Sequence, residues 1–156
     1  MEYIFKYESS IGNIMVSSDG EAITGLWFEN QKYFASTLDK NAEEKDLEVF
    51  RKIKKWLDRY FKGENPKIDF DLRPKGSEFR QRVWSALLSI PYGKTATYKE
   101  IAEKVFDLEK GKISYRAIGG AVGHNPISII IPCHRVVGSD KSLTGYAGGI
   151  DKKKFL

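Results

Sequence analysis

The chain has 156 residues, 26 of them Lys or Arg against 21 Asp or Glu, a net charge of +5 and a single cysteine. That length holds one small globular unit or two compact ones with a real core. The longest apolar run, around Ile127 to Ile131, is far short of the roughly 20 residues of a membrane-spanning helix, and Met1-Glu2-Tyr3 lacks a charged-then-apolar leader pattern, so no membrane partner and a reducing, cytoplasmic compartment are expected.

Ile4 to Tyr7, Ile14 to Ser17 and Ile23 to Phe28 are rich in β-branched and aromatic residues and are separated by Gly12-Asn13 and Asp19-Gly20. This pattern predicts three strands joined by turns. From Lys45 the period becomes helical, with Val49, Ile53, Trp56, Leu57, Tyr60 and Phe61 on one face, until Gly63 ends it. The first part is therefore expected to be a small antiparallel sheet with a helix against it. Asn65-Pro66 and Arg73-Pro74-Lys75-Gly76 bracket a linker that includes a short extended piece, Ile68 to Leu72.

Beyond the linker the pattern is mostly helical. Ser77 is placed to cap a helix carrying Phe79, Val83, Trp84, Leu87 and Leu88, which Ile90-Pro91-Tyr92-Gly93 terminates. Thr97 and Glu100 form a capping box, so a second helix should start near Tyr98. Ser114 is positioned to cap a third helix running from Arg116 to Val122. The last two helices resemble a helix-turn-helix with a longer connection than the usual three or four residues. The charge divides with the two parts. Residues 1–72 hold 11 basic and 14 acidic side chains, net −3, and residues 73–156 hold 15 and 7, net +8. A polyanion meeting only the second part explains this split, and so does a lysine-rich solvated surface.

Gly119-Gly120 stands inside the third predicted helix although each glycine costs roughly 1 kcal/mol there relative to alanine. Small residues at Ala117, Gly119, Gly120 and Ala121 let a helix backbone approach another surface closely, either a nucleic-acid groove or a neighbouring helix of the same protein. Arg116 at the helix start favours the groove. Gly123-His124-Asn125-Pro126 ends the helix, and a strand-like apolar run leads to Pro132-Cys133-His134-Arg135. A lone cysteine makes no disulfide and no four-ligand zinc site. Cys133 is thus either an inert buried thiol or a nucleophile, with His134 beside it as a base.

Tyr98, the string from Arg116 to Ala121, Asn125-Pro126, Ile131 to Val137 and Gly145 to Gly149 together resemble the methylated-DNA–protein-cysteine methyltransferases, the O6-alkylguanine-DNA alkyltransferase family. The resemblance is close over residues 77–156; in the first part it rests on strand-then-helix order. It implies an α/β (α+β) chain with a ribonuclease H-like domain at 1–72. It also implies a DNA-binding, alkyl-acceptor domain at 73–156 with a helix-turn-helix of winged-helix type. The implied activity is a single, stoichiometric transfer of an alkyl group from O6 of a flipped guanine in duplex DNA to Cys133, by a monomer, with no cofactor and no metal.

The resemblance further implies roles for individual residues. His134 takes the thiol proton through a water, Asn125 supports the turn, and Tyr98 presses on the adjacent phosphate and offers its hydroxyl to the base. Arg116 fills the gap left in the stack, while Ala117, Gly119 and Gly120 fit a minor groove about 6 Å wide. Thr97 joins the DNA contacts. Tyr146 stacks on the extruded base, and the loop through Ala147 and Gly148 meets the guanine edge.

Two departures accompany the resemblance. Ala147 stands where relatives often carry a hydroxyl, which removes a hydrogen bond worth on the order of 1 kcal/mol. The final predicted helix, Ile150 to Leu156, stops about a turn before the family's glutamate that orients the histidine. Either the sequence is cut from a longer protein or another carboxylate substitutes, and reduced reactivity is expected. Two other classes match fewer of these residues: a cysteine hydrolase that turns over, and a lesion-binding module with an inert thiol.

Overall fold

The computed structural model describes residues 2–31, 34–106 and 115–137. The chain divides into two compact units, Met1–Lys75 and Gly76–Leu156.

In the first unit, β1 (Tyr3–Ser9), β2 (Gly12–Ser18) and β3 (Ile23–Phe28) form an antiparallel meander, with Tyr3 opposite Ser18 and Ile14 opposite Phe28. The β2–β3 turn is held by Asp19, whose Oδ1 accepts from the Glu21 and Ala22 N–H groups at 3.0 Å each, and Gly20 supplies φ +111°. A two-residue strand, β4 (Glu43–Glu44), lies parallel to β1, so the sheet order is β3-β2-β1-β4 and the sheet is mixed instead of purely antiparallel. The extended piece expected at 68–72 contributes one parallel bridge, Leu72 to Ile23.

Helix α1 (Glu48–Phe61) begins three residues after Lys45, with extended Leu47 at its N-cap and no side-chain cap. It buries Val49, Phe50, Ile53, Trp56, Leu57 and Tyr60. Phe50 stacks on Phe5 with centroids 5.7 Å apart, and the Tyr7 hydroxyl donates to Asp58 at 2.7 Å. Gly63 then closes the helix at φ +88°, its N–H donating to the Tyr60 carbonyl at 3.0 Å.

The second unit starts with α2 (Glu78–Leu88), capped by Ser77, whose side chain accepts from the Arg80 N–H at 3.2 Å. A short strand, β5 (Ala96–Thr97), leads directly into α3 (Tyr98–Val105), and the Thr97–Glu100 capping box is formed in both directions. Next comes α4 (Tyr115–Gly123). These three helices pack on one another around Val83, Trp84, Leu87, Ile101, Ile118 and Val122. The Trp84 indole donates to the Ala121 carbonyl at 2.9 Å, tying α2 to α4. A 3-10 turn at Cys133–Arg135 precedes β6 (Val136–Val137), which pairs in parallel with β5. Ser114 and the predicted last helix lie outside the described residues.

Candidate functional site

The parallel pairing of β5 and β6 builds the site. Ala96 faces Val136 and Thr97 faces Val137, so the residue after one strand and the turn before the other, Tyr98 and Cys133, come into the same neighbourhood. Burial, and secondarily electrostatic interaction with Cys133, hold the Tyr98 hydroxyl above the usual tyrosine range. Tyr98 therefore keeps its proton at neutral pH and serves as a hydrogen-bond donor.

Cys133 and His134 are both buried, at 5% and 4% exposure. Their turn is set by the chain before it. Residues 127–131 were expected to be strand-like; instead they make consecutive turns, with the Ile131 N–H donating to the Ile127 carbonyl at 3.1 Å and the Ile130 N–H to Ser128 at 2.8 Å. Ile129 sits at φ +71°, a rare conformation for a β-branched residue. Ile127, Ile129, Ile130 and Ile131 are all buried. Apolar burial drives this run inward, but among the described residues no strand pairs with it, and local turns bond its backbone.

Asn125 organises those turns. Its Nδ2 donates to the Ile131 carbonyl at 2.8 Å and its Oδ1 accepts from the Ile127 N–H at 3.0 Å. A second tie was not legible in the sequence. The Arg135 guanidinium donates to the Ile90 carbonyl at 2.9 Å and lies 5.5 Å over the Tyr92 ring. The Cys133 turn is thus anchored on one side to the end of α4 and on the other to the loop after α2.

On α4, Arg116 and Ala117 are exposed while Ile118, Ala121 and Val122 are buried. A Cβ placed on Gly119 or Gly120 would meet nothing within 4 Å. The close internal packing that offered an alternative explanation of these glycines is therefore absent among the described residues. They leave a low, open helix face next to an exposed cation. His124 closes the helix, its Nδ1 lying 2.7 Å from the Gly120 carbonyl.

Tyr98, Thr97, Asn125, Cys133 and His134 thus belong to one packed unit with Arg116, Ala117, Gly119 and Gly120. Tyr146, Ala147 and Gly148 lie outside the described residues. Among the described residues no group of three or more His, Cys, Asp or Glu side chains gathers as a metal site, and no helix is long and apolar enough to cross a membrane.

A helical unit with an exposed arginine beside a low helix face, and a buried thiol, is of the class that nucleic-acid-binding folds present. Comparison with known proteins narrows that class. The family model described as 6-O-methylguanine DNA methyltransferase, DNA binding domain, matches residues 78–156, and the ribonuclease-like domain of the same methyltransferase matches residues 3–74. The chain belongs to the 6-O-methylguanine DNA methyltransferase family. It is 43% identical to a methylated-DNA–protein-cysteine methyltransferase of Haemophilus influenzae over 99% of this chain and 83% of that protein. A relative of the same name from Methanosarcina acetivorans is 42% identical over 99% of this chain and 95% of its own length. The crystal structure of the Mycobacterium tuberculosis O6-methylguanine methyltransferase superposes with a TM-score of 0.83 at 40% identity, covering 99% of this chain and 89% of that one. The M. tuberculosis protein in complex with DNA superposes with a TM-score of 0.84 at 39% identity, covering 97% and 88%.

Proposed function

We propose that this protein repairs duplex DNA by moving the alkyl group on O6 of a guanine to its own Cys133, once per molecule. The observation that carries the reading is the juxtaposition of Cys133, His134 and Tyr98 by the β5–β6 pairing, in the same unit as the open face of α4.

The thiol first gives its proton, through a water, to His134, since an ordinary thiol is mostly protonated at neutral pH. The Sγ lone pair then attacks the alkyl carbon in line, forming the S–C bond as the C–O6 bond breaks. The electron pair of the broken bond stays on the guanine. Tyr98, which keeps its proton, offers a hydrogen bond to the base as that charge develops. The guanine anion then takes up a proton, in net terms the one the thiol gave to His134, so the products are neutral guanine and a thioether at position 133. Water does not cleave that thioether under mild conditions, so the protein is consumed.

The target carbon is shielded inside the duplex, and extruding the base costs a few kcal/mol. Arg116 offsets part of this by entering the vacated stack, and Ala117, Gly119 and Gly120 let α4 approach the minor groove. Thr97, at the start of α3, contributes a backbone contact to the DNA. Tyr146, Ala147 and Gly148 complete the base pocket by analogy with the family. The protein works as a monomer in a reducing cytoplasm, where its single thiol stays free.

The test is single-turnover demethylation of a duplex labelled at the O6-methyl group. Label moves to the protein with the unaltered chain and stays on the DNA with Cys133→Ser. Undiminished transfer by the serine variant refutes the reading.

A further inference from the structure

An open groove of about 840 Å³ lies in the first unit between α1 and the 65–69 segment. Five of its lining side chains are cationic, namely Arg51, Lys52, Lys55, Arg59 and Lys67, and two are acidic, Glu48 and Asp69. The surplus of cations is notable because residues 1–72 as a whole are net negative. Four acids lie in or beside the groove, Glu48 and Asp69 in its lining and Asp46 and Glu64 paired with its arginines, and the five cations still outnumber them.

Its arrangement is linear. Arg51, Lys55 and Arg59 recur every fourth residue, so they stand in a row on the helix, ~6 Å apart along the axis and ~12 Å from end to end. Lys67, on the 65–69 segment, lines the same groove. Lys52, Lys55 and Lys67 form no ion pair among the described residues. Arg51 and Arg59 pair with Asp46 and Glu64 at 3.1 Å, but all four side chains are at least 46% exposed. Pairs this exposed hold little free energy, so both guanidinium groups are available to a stronger anion.

The groove offers no platform for an unpaired base. The Trp56 ring stacks on Tyr60, its N–H donates to the Pro66 carbonyl at 3.1 Å, and the side chain is only 7% exposed. Single-strand binding uses such rings. A row of cations with arginine forks and no aromatic face suits the repeating phosphates of a double helix. We infer that the α1 groove of the first unit is a second DNA contact, binding the phosphate backbone of a duplex without sequence preference. This inference rests on the reading that the protein acts on duplex DNA, the polyanion its reaction brings to it.

The test is the salt dependence of binding to undamaged duplex by the full chain. Each phosphate neutralised contributes a slope of about 0.9 in log K against log salt. The combined variant Lys55→Gln, Arg59→Gln, Lys67→Gln is expected to have a slope shallower by about 2 to 3. A control changing the exposed Lys6, Lys40 and Lys45 to Gln is expected to leave it unchanged. Equal slopes in the two variants overturn the inference. A second measurement needs no variant: duplex should protect Lys55 and Lys67 of the unaltered chain from acetylation, and leave Lys6 and Lys40 labelled. Equal labelling overturns it, as does protection by polyglutamate but not by duplex, which assigns the groove to an acidic protein. Methyl transfer to Cys133 is followed in parallel. Transfer with no groove effect sinks the groove alone, whereas a groove effect with no transfer sinks the repair reading alone.

Discussion

Asn125 and Ile131 are joined by a 2.8 Å hydrogen bond from the amide Nδ2 to the backbone carbonyl, two residues before Cys133. The same amide accepts from the Ile127 N–H at 3.0 Å, so one buried side chain satisfies both ends of the loop that presents Cys133. Asn125→Ala leaves the buried Ile127 N–H without this partner, costing about 1–3 kcal/mol, and removes one of two bonds to the Ile131 carbonyl, which keeps the Cys133 N–H at 2.8 Å, costing about 1 kcal/mol more. A fall in unfolding free energy of about 2–4 kcal/mol is expected by denaturant titration, together with slower single-turnover transfer. A loss below about 0.5 kcal/mol contradicts the role assigned to this amide.

Substitutions at Gly120 test folding and the proposed DNA contact separately. A Cβ on Gly120 would meet no described atom within 4 Å, so Gly120→Ala should raise stability by up to about 1 kcal/mol through helix propensity. Gly120→Leu should fold as well and bind duplex at least about tenfold more weakly, because its side chain stands where a groove floor must come. Unchanged affinity in the leucine variant, measured by fluorescence anisotropy, places the DNA elsewhere.

Tyr98 provides a pH signature. Its folded value is raised by burial and by electrostatic interaction with Cys133, so the stability it contributes is fully present below the ordinary tyrosine value of about 10 and is lost as pH rises through the higher folded value. The transfer rate should accordingly show no decline from tyrosine ionisation below about pH 10. Tyr98→Phe should reduce that rate on the order of 100-fold while binding persists. A rate equal to that of the unaltered chain removes Tyr98 from the chemistry.

In the first unit, Asp58 is held below the usual carboxylate range, first by the Tyr7 hydroxyl and then by Lys54. A depressed folded value means a contribution present above about pH 4 and lost as pH falls through that lower value. Tyr7→Phe should therefore be less stable than the unaltered protein at pH 6, and the gap should be smaller at pH 3. Urea titrations at both pH values check this, and a constant gap contradicts it.

Much of this was legible in the sequence because the signals were local. The Thr97–Glu100 capping box, the Ser77 cap and the Asp19-Gly20 turn each involve residues within four positions of one another, and each formed as expected. Cys133 and His134 were visible because their neighbours form a distinctive string. Contacts made at a distance were not legible. Arg135 reaches Ile90 across 45 residues. Glu2, which the sequence offers only as part of an unremarkable start, is buried and bonded to Thr24, Asp39 and Lys75. Residues 127–131 misled because an apolar run signals burial without distinguishing a strand from buried turns. The α1 cations were masked by counting charge over the whole first part, where acids elsewhere outweigh them.

The central claim is that Cys133 itself receives the alkyl carbon and is then spent. Peptide mapping by mass spectrometry, after incubation with an excess of duplex containing O6-methylguanine, tests it most directly. One methyl group per protein molecule, carried on Cys133 with no further demethylation afterwards, is the predicted result. Continued turnover, or a methyl group found on any other residue while Cys133 remains a thiol, contradicts it.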